Sequence, residues 1–136
     1  MSAGDPLTPV TKLRLAAHVV ATFGRVHVAL RRRPLPEVIA TLGRSGGAFW
    51  PTVRPLRLSR TVDRVLRIGR RRPRCLILAL VLYRLLRQQG TDEAEVVIGL
   101  PIDARDKDAH AWIEIAGVDV GPPPGKGVHQ ELARYA

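Results

Sequence analysis

The sequence predicts an α+β fold in a single domain, and three observations carry that prediction. Apolar residues recur at helical spacing up to Leu86, β-branched runs follow only after it, and glycine and proline punctuate the boundaries. Helices first and strands after is the order of a segregated α+β arrangement. A length of 136 residues allows one hydrophobic core and not two. Residues 1–70 read as a basic helical part, and residues 71–136 as a cysteine-bearing helix packed on a small antiparallel sheet.

The stretch before Pro9 reads as a loose terminus. From Val10 to Leu30 the positions Leu13, Ala16, Ala17, Val20, Phe23 and Val26 or His27 suit one helical face, with Gly24 as a place for a kink or break. Arg33-Pro34 closes this helix, because the residue before proline is driven out of the helical region. Leu35 to Leu42 is a short helix stopped by Gly43. An irregular connection from Ser45 to Pro55 carries Phe49 and Trp50, either as a core anchor or as a partner contact. A third helix follows with Ser59 or Thr61 as N-cap, Val62, Val65, Leu66 and Ile68 inward, and Gly69 as its stop.

The next segment, Arg72 to Leu86, is apolar nearly all round from Leu76 to Leu82 and should be the most buried helix. Arg84, Arg87, Gln88 and Gln89 mark its emergence into water, and Gly90 caps it. Glu95 to Leu100 reads as a strand, Asp103 to Asp108 as a charged connector, and His110 to Ile115 as a second strand. Ala116-Gly117 turns the chain into Val118-Asp119-Val120, and the prolines of Gly121 to Gly125 break the ladder. Gly127 to Ala136 reads as one short helical turn.

A net charge of +10, with Lys12, Lys107 and Lys126 as the only lysines, is an arginine charge. It fits either a solvated basic face or an acidic partner, anionic lipid or nucleic acid. Nucleic acid is disfavoured because aromatic residues for base stacking are scarce and no recognition motif occurs. One cysteine excludes an internal disulfide framework and a cysteine-based zinc cluster, and an unpaired thiol suits the cytoplasm. The run Leu15 to Gly24 is shorter than the roughly 20 residues a bilayer span requires, so a soluble helix is expected and no membrane span.

Two residues hold the chemistry. Cys75 follows Pro73 at the start of the buried helix, where unpaired N–H groups, the positive end of the dipole and the surrounding arginines all favour thiolate. Such surroundings bring a cysteine pKa from ~8.5 into the range ~3.5–7.5. His110 opens a strand and can give or take a proton. A thiolate that attacks a carbonyl and an imidazole that protonates the leaving amine make a cysteine hydrolase. The competing reading is that Cys75 is a small buried hydrophobe, which most free cysteines are. Trp112, on the same strand face as His110, walls a cleft or fills the core.

Pro-Arg-Cys-Leu opening a leucine-rich helix, Leu-Leu-Arg-x-x-Gly closing it, Val-Val-Ile-Gly on the next strand and Ala-His-Ala-Trp-Ile-Glu on the one after form a connected set from Arg74 to Ile115. In these features the chain resembles the transglutaminase-like cysteine peptidases of lasso-peptide maturation, the stand-alone leader peptidases. The resemblance implies a transglutaminase/papain-like core, Cys75 as nucleophile, His110 as general base and acid, and no cofactor. It also implies removal of a leader peptide from a ribosomally made precursor. The partners would be that leader, a separate leader-recognition protein and the ATP-dependent lasso cyclase.

The family's third residue is an aspartate that orients the imidazole from the returning strand. Here prolines stand near the facing position, and Asp119 is the one carboxylate on that strand. Asp119 would face Glu114, about 13 Å along the strand from His110 at ~3.3 Å per residue, unless a bulge or a different register brought it closer. Other readings are that Asp119 is only a cross-strand neighbour, that a backbone carbonyl holds His110, or that His129 contributes. Two alternatives of other classes remain: a basic nucleic-acid-binding module, and a non-catalytic scaffold of the same fold.

Overall fold

The computed structural model of the chain describes residues 9–43, 54–66, 75–101, 110–121 and 129–135. Within them the order is α1 (Pro9–Arg32), α2 (Leu35–Leu42), α3 (Pro55–Leu66), α4 (Cys75–Gln88), β1 (Ala94–Pro101), β2 (His110–Ile115), β3 (Val118–Gly121) and β4 (His129–Tyr135). The readings of Phe49 and Trp50, of Gly69, of the Asp103 to Asp108 connector and of the Pro122 to Gly125 break lie outside the described residues.

Apolarity on every side of α4 places it at the centre. The helix is sealed from Leu78 to Tyr83, and Ala79, Leu80, Val81, Tyr83, Leu85 and Leu86 are at 0% exposure. It packs against α1, α2 and α3 on one side and against β1 and β2 on the other. Gly90, at φ +90, ends it in the left-handed conformation, and the Thr91 N–H donates back to the Leu86 carbonyl at 2.9 Å. That is a Schellman-type closure, which glycine permits without a Cβ penalty. The Arg87 guanidinium ties the turn by donating to the Asp92 carbonyl at 2.6 Å. Gln88 does not emerge into water: it is buried, and its Oε1 lies 2.7 Å from His18 Nε2 of α1.

Two of the other helices, α1 and α3, depart from expectation. α1 runs unbroken through Gly24, and by length and composition it is one helix apolar enough to cross a membrane. Its inward face is Leu15, Val19, Thr22 and Val26, whereas Leu13 and Val20 are exposed. α1 carries apolar residues on two faces, so spacing alone placed Val26 and Phe23 correctly but Leu13 and Val20 wrongly. α2 has the expected bounds, with Pro36 in its first turn and Gly43 as C-cap. α3 begins at Pro55, not at Ser59 or Thr61; Ser59 is buried inside it, and Thr61 Oγ1 donates to the Arg57 carbonyl one turn back.

The sheet is antiparallel in the order β3-β2-β1-β4. β2 and β3 are joined by a two-residue turn with Ala116 at φ 51 and Gly117 at φ 81, the doubly left-handed geometry of a type I′ hairpin. The largest departure is the tail, which is the strand β4 and not a helical turn. Its glutamine, glutamate, leucine, alanine and arginine are good helix formers. Pairing with the otherwise open edge of β1 overrides that preference.

Candidate functional site

A short reversal sets where the two chemical residues stand. α4 runs from Cys75 to Gln88, the Gly90 turn reverses the chain, and β1 returns along the helix it packs against. Fourteen helical residues cover about 20 Å at 1.5 Å each. The strand from Ala94 to Gly99 covers about 17 Å at ~3.3 Å per residue. Gly99 is paired with His110. The first residue of α4 and the first residue of β2 therefore stand at the same end of the domain, the end away from the Gly90 turn. Cys75 opens the helix as expected, so the free N–H groups and positive dipole of that first turn are present there.

The faces of the sheet then sort the side chains. Ala111 and Ile113 join the core cluster with α4, as do Ala94 and Val96 from β1. Alternation puts His110, Trp112 and Glu114 on the opposite face. His110 is half-buried, and both its ring nitrogens are shut off from solvent. The Trp112 ring lies over Gly99, where an added Cβ would come within 2.8 Å of the indole. Only a glycine at the position paired with His110 leaves room for that ring.

The indole is held in turn. Trp112 Nε1 donates to Glu114 Oε2 at 2.8 Å, and Glu114 is 1% exposed. Its other oxygen accepts from Arg134 Nη2 at 3.1 Å, and Arg134 also reaches Glu131 at 2.6 Å and Glu95 at 3.4 Å. Hydrogen bonds donated to Glu131 and then to Glu114 hold the guanidinium well above its ordinary basicity, against the lesser opposition of burial. A buried carboxylate is thus satisfied on both oxygens, as a buried charge must be. Sequence reasoning missed this network. The Trp-x-Glu spacing puts indole and carboxylate on one face, but Arg134 is reached only because the tail pairs as β4.

Asp119 faces Glu114, as the hairpin register predicts. The irregularity between Ile113 and Glu114 falls beyond Asp119 and does not draw it toward His110. Four residues of strand, about 13 Å, separate the two rows, more than the two side chains reach. Instead Asp119 Oδ1 accepts from the Gly121 N–H at 2.8 Å and closes the end of its own strand. The structure does not bring Asp119 to His110. The backbone of His129 pairs with Pro101, at the end of the sheet that His110 and Cys75 share.

A family model described as transglutaminase-like superfamily matches residues 13–133, nearly the whole chain. No curated protein and no solved structure matches it.

Proposed function

The chain belongs to the transglutaminase-like superfamily, and from that premise we propose that it is a cysteine peptidase that removes the leader peptide from a lasso-peptide precursor. One observation carries this reading: in a chain of this superfamily the sole cysteine opens the buried helix at the end of the domain where His110 opens β2. The thiolate of Cys75 attacks the scissile carbonyl, and N–H groups of the first turn of α4 stabilise the resulting oxyanion. The imidazolium of His110 gives its proton to the departing amine, and an acyl-enzyme remains. His110 then takes a proton from water, which hydrolyses the thioester and frees the thiol. β2 alternation directs His110 to the face of Trp112, so this reading requires the imidazole to reach the thiolate around the end of the sheet. Trp112 and the Glu114–Arg134 pair fix the strand from which His110 projects.

A separate recognition protein presents the leader, and the cyclase consumes the freed amine; both follow from the lasso-peptide reading. The test is intact-mass analysis of a precursor incubated with the chain and its recognition protein. Wild type should release the leader, whereas Cys75→Ala and His110→Ala should release none while melting as the parent does. Continued cleavage by Cys75→Ala defeats the proposal, and so does an inert wild type. Iodoacetamide alkylation across pH gives a second reading: its midpoint at Cys75 should fall well below ~8.5.

A further inference from the structure

Between α1 and α3 lies a groove of about 760 Å³. Arg57, Arg60 and Arg64 of α3 line it together with Arg54 just before the helix, at spacings of three and four residues that bring them to one side. Lys12 of α1 lines it from the other side. No acidic side chain lines it among the described residues. Its floor is apolar: Leu15 is buried there, whereas Leu56 is 56% exposed and Val65 half-buried. Five cations around an apolar floor concentrate counter-charge and also offer a hydrophobic seat.

We propose that this groove binds an acidic, amphipathic peptide segment of a partner protein. Charge complementarity selects a ligand rich in aspartate or glutamate, since guanidinium groups pair carboxylates with fork geometry. The apolar floor selects one that alternates those residues with leucine-like side chains. Nucleic acid is the poorer fit, because among the described residues no aromatic side chain lines the groove to stack a base. The volume is that of an ordinary ligand pocket, which falls in the range ~300–1,000 Å³. The twelve residues of α3 span about 18 Å, the length of roughly six residues of extended chain.

This proposal stands apart from the peptidase reading, because it rests on groove residues to which that reading gives no role. It is tested by fluorescence polarisation on the full chain, with a labelled hexapeptide alternating glutamate and leucine. Three comparison probes complete the set: the same peptide with glutamine for glutamate, the same with serine for leucine, and a single-stranded RNA of equal charge. The acidic leucine peptide should bind best, and added salt should weaken it. Arg60→Gln and Arg64→Gln should each loosen it by about threefold to fivefold, the worth of one exposed ion pair. Leu56→Ser should loosen the leucine peptide more than the serine one, and Cys75→Ala should change nothing. Thermal melts matching the parent keep these losses attributable to the groove. Equal affinity for the glutamine peptide, tighter RNA binding, or indifference to both arginine substitutions overturns the proposal.

Discussion

Arg134→Ala should destabilise the domain by about 2 kcal/mol, although the arginine head lies near the surface. Its partner decides the cost. Glu114 is 1% exposed, and Trp112 and Arg134 supply one donor to each of its oxygens. Removing one partner of a fully buried pair costs ~3–5 kcal/mol, because the other charge is stranded. Arg134 is 33% exposed, so water can enter the vacated space and lower that figure. The lost bond to a charged group, ~1.5–3 kcal/mol, is then the better guide. Glu131 and Glu95, left without the guanidinium they shared, add a little repulsion on the same face.

Glu114→Gln keeps an acceptor for the indole and drops the charge, so it should cost less, about 1 kcal/mol. The double variant should be less destabilised than the sum of the two by ~1–2 kcal/mol, since once the carboxylate is gone the arginine has less to compensate. Equilibrium urea unfolding reads all three: at a slope of ~1–3 kcal/mol/M, a 2 kcal/mol loss moves the midpoint by roughly 1 M. Additivity within ~0.5 kcal/mol, or an Arg134→Ala loss below that size, refutes the reasoning.

Three further expectations follow from single positions. Gly99→Ala sets a Cβ 2.7 Å from the Gln130 carbonyl oxygen and 2.8 Å from the Trp112 ring, so overpacking should cost ~1–3 kcal/mol and shift the indole fluorescence; an unaltered spectrum at parental stability would contradict it. Burial pushes the Tyr83 phenol above its ordinary value, with Arg87 opposing. Above about pH 10 the folded chain therefore retains a proton the unfolded chain has shed, and stability falls as pH rises. Tyr83→Phe should abolish that alkaline loss in urea titrations at several pH values, while keeping the ring beneath Arg87. Ala116 holds φ 51 in the hairpin turn, so Ala116→Gly should stabilise by ~0.5–1 kcal/mol, the left-handed penalty less the added chain entropy; a loss of stability in the same assay would count against it.

Local signals located elements well where one signal acted without rivals. Pro34 and Gly43 bound α2, Gly90 ends α4, and Ala116-Gly117 turns the hairpin, because each relies on backbone geometry that a few residues impose. They served less well where two patterns competed. α1 has apolar residues on two faces, and beyond Val26 only its contact with α3 and α4 shows that Leu15 and Val19 are buried. Thr61 resembles a cap, yet its hydroxyl bonds within the helix. In the site, Cys75 at a helix start and His110 at a strand start were legible from residue type and neighbours. That the two starts share one end of the domain depends on the reversal at Gly90.

By itself, then, the sequence determined the α+β order, the sealed helix and the places of Cys75 and His110 at the starts of α4 and β2, since these depend on hydrophobic periodicity and backbone preference within short windows. Tertiary structure alone decided that the tail is a strand, that Arg134 neutralises Glu114, and that Asp119 closes its own strand at a distance from His110. Each of these depends on pairing between residues far apart in the chain. Such pairing is governed by which strand edge stands open and which buried charge needs a partner, and neither is written in the neighbours of any one residue.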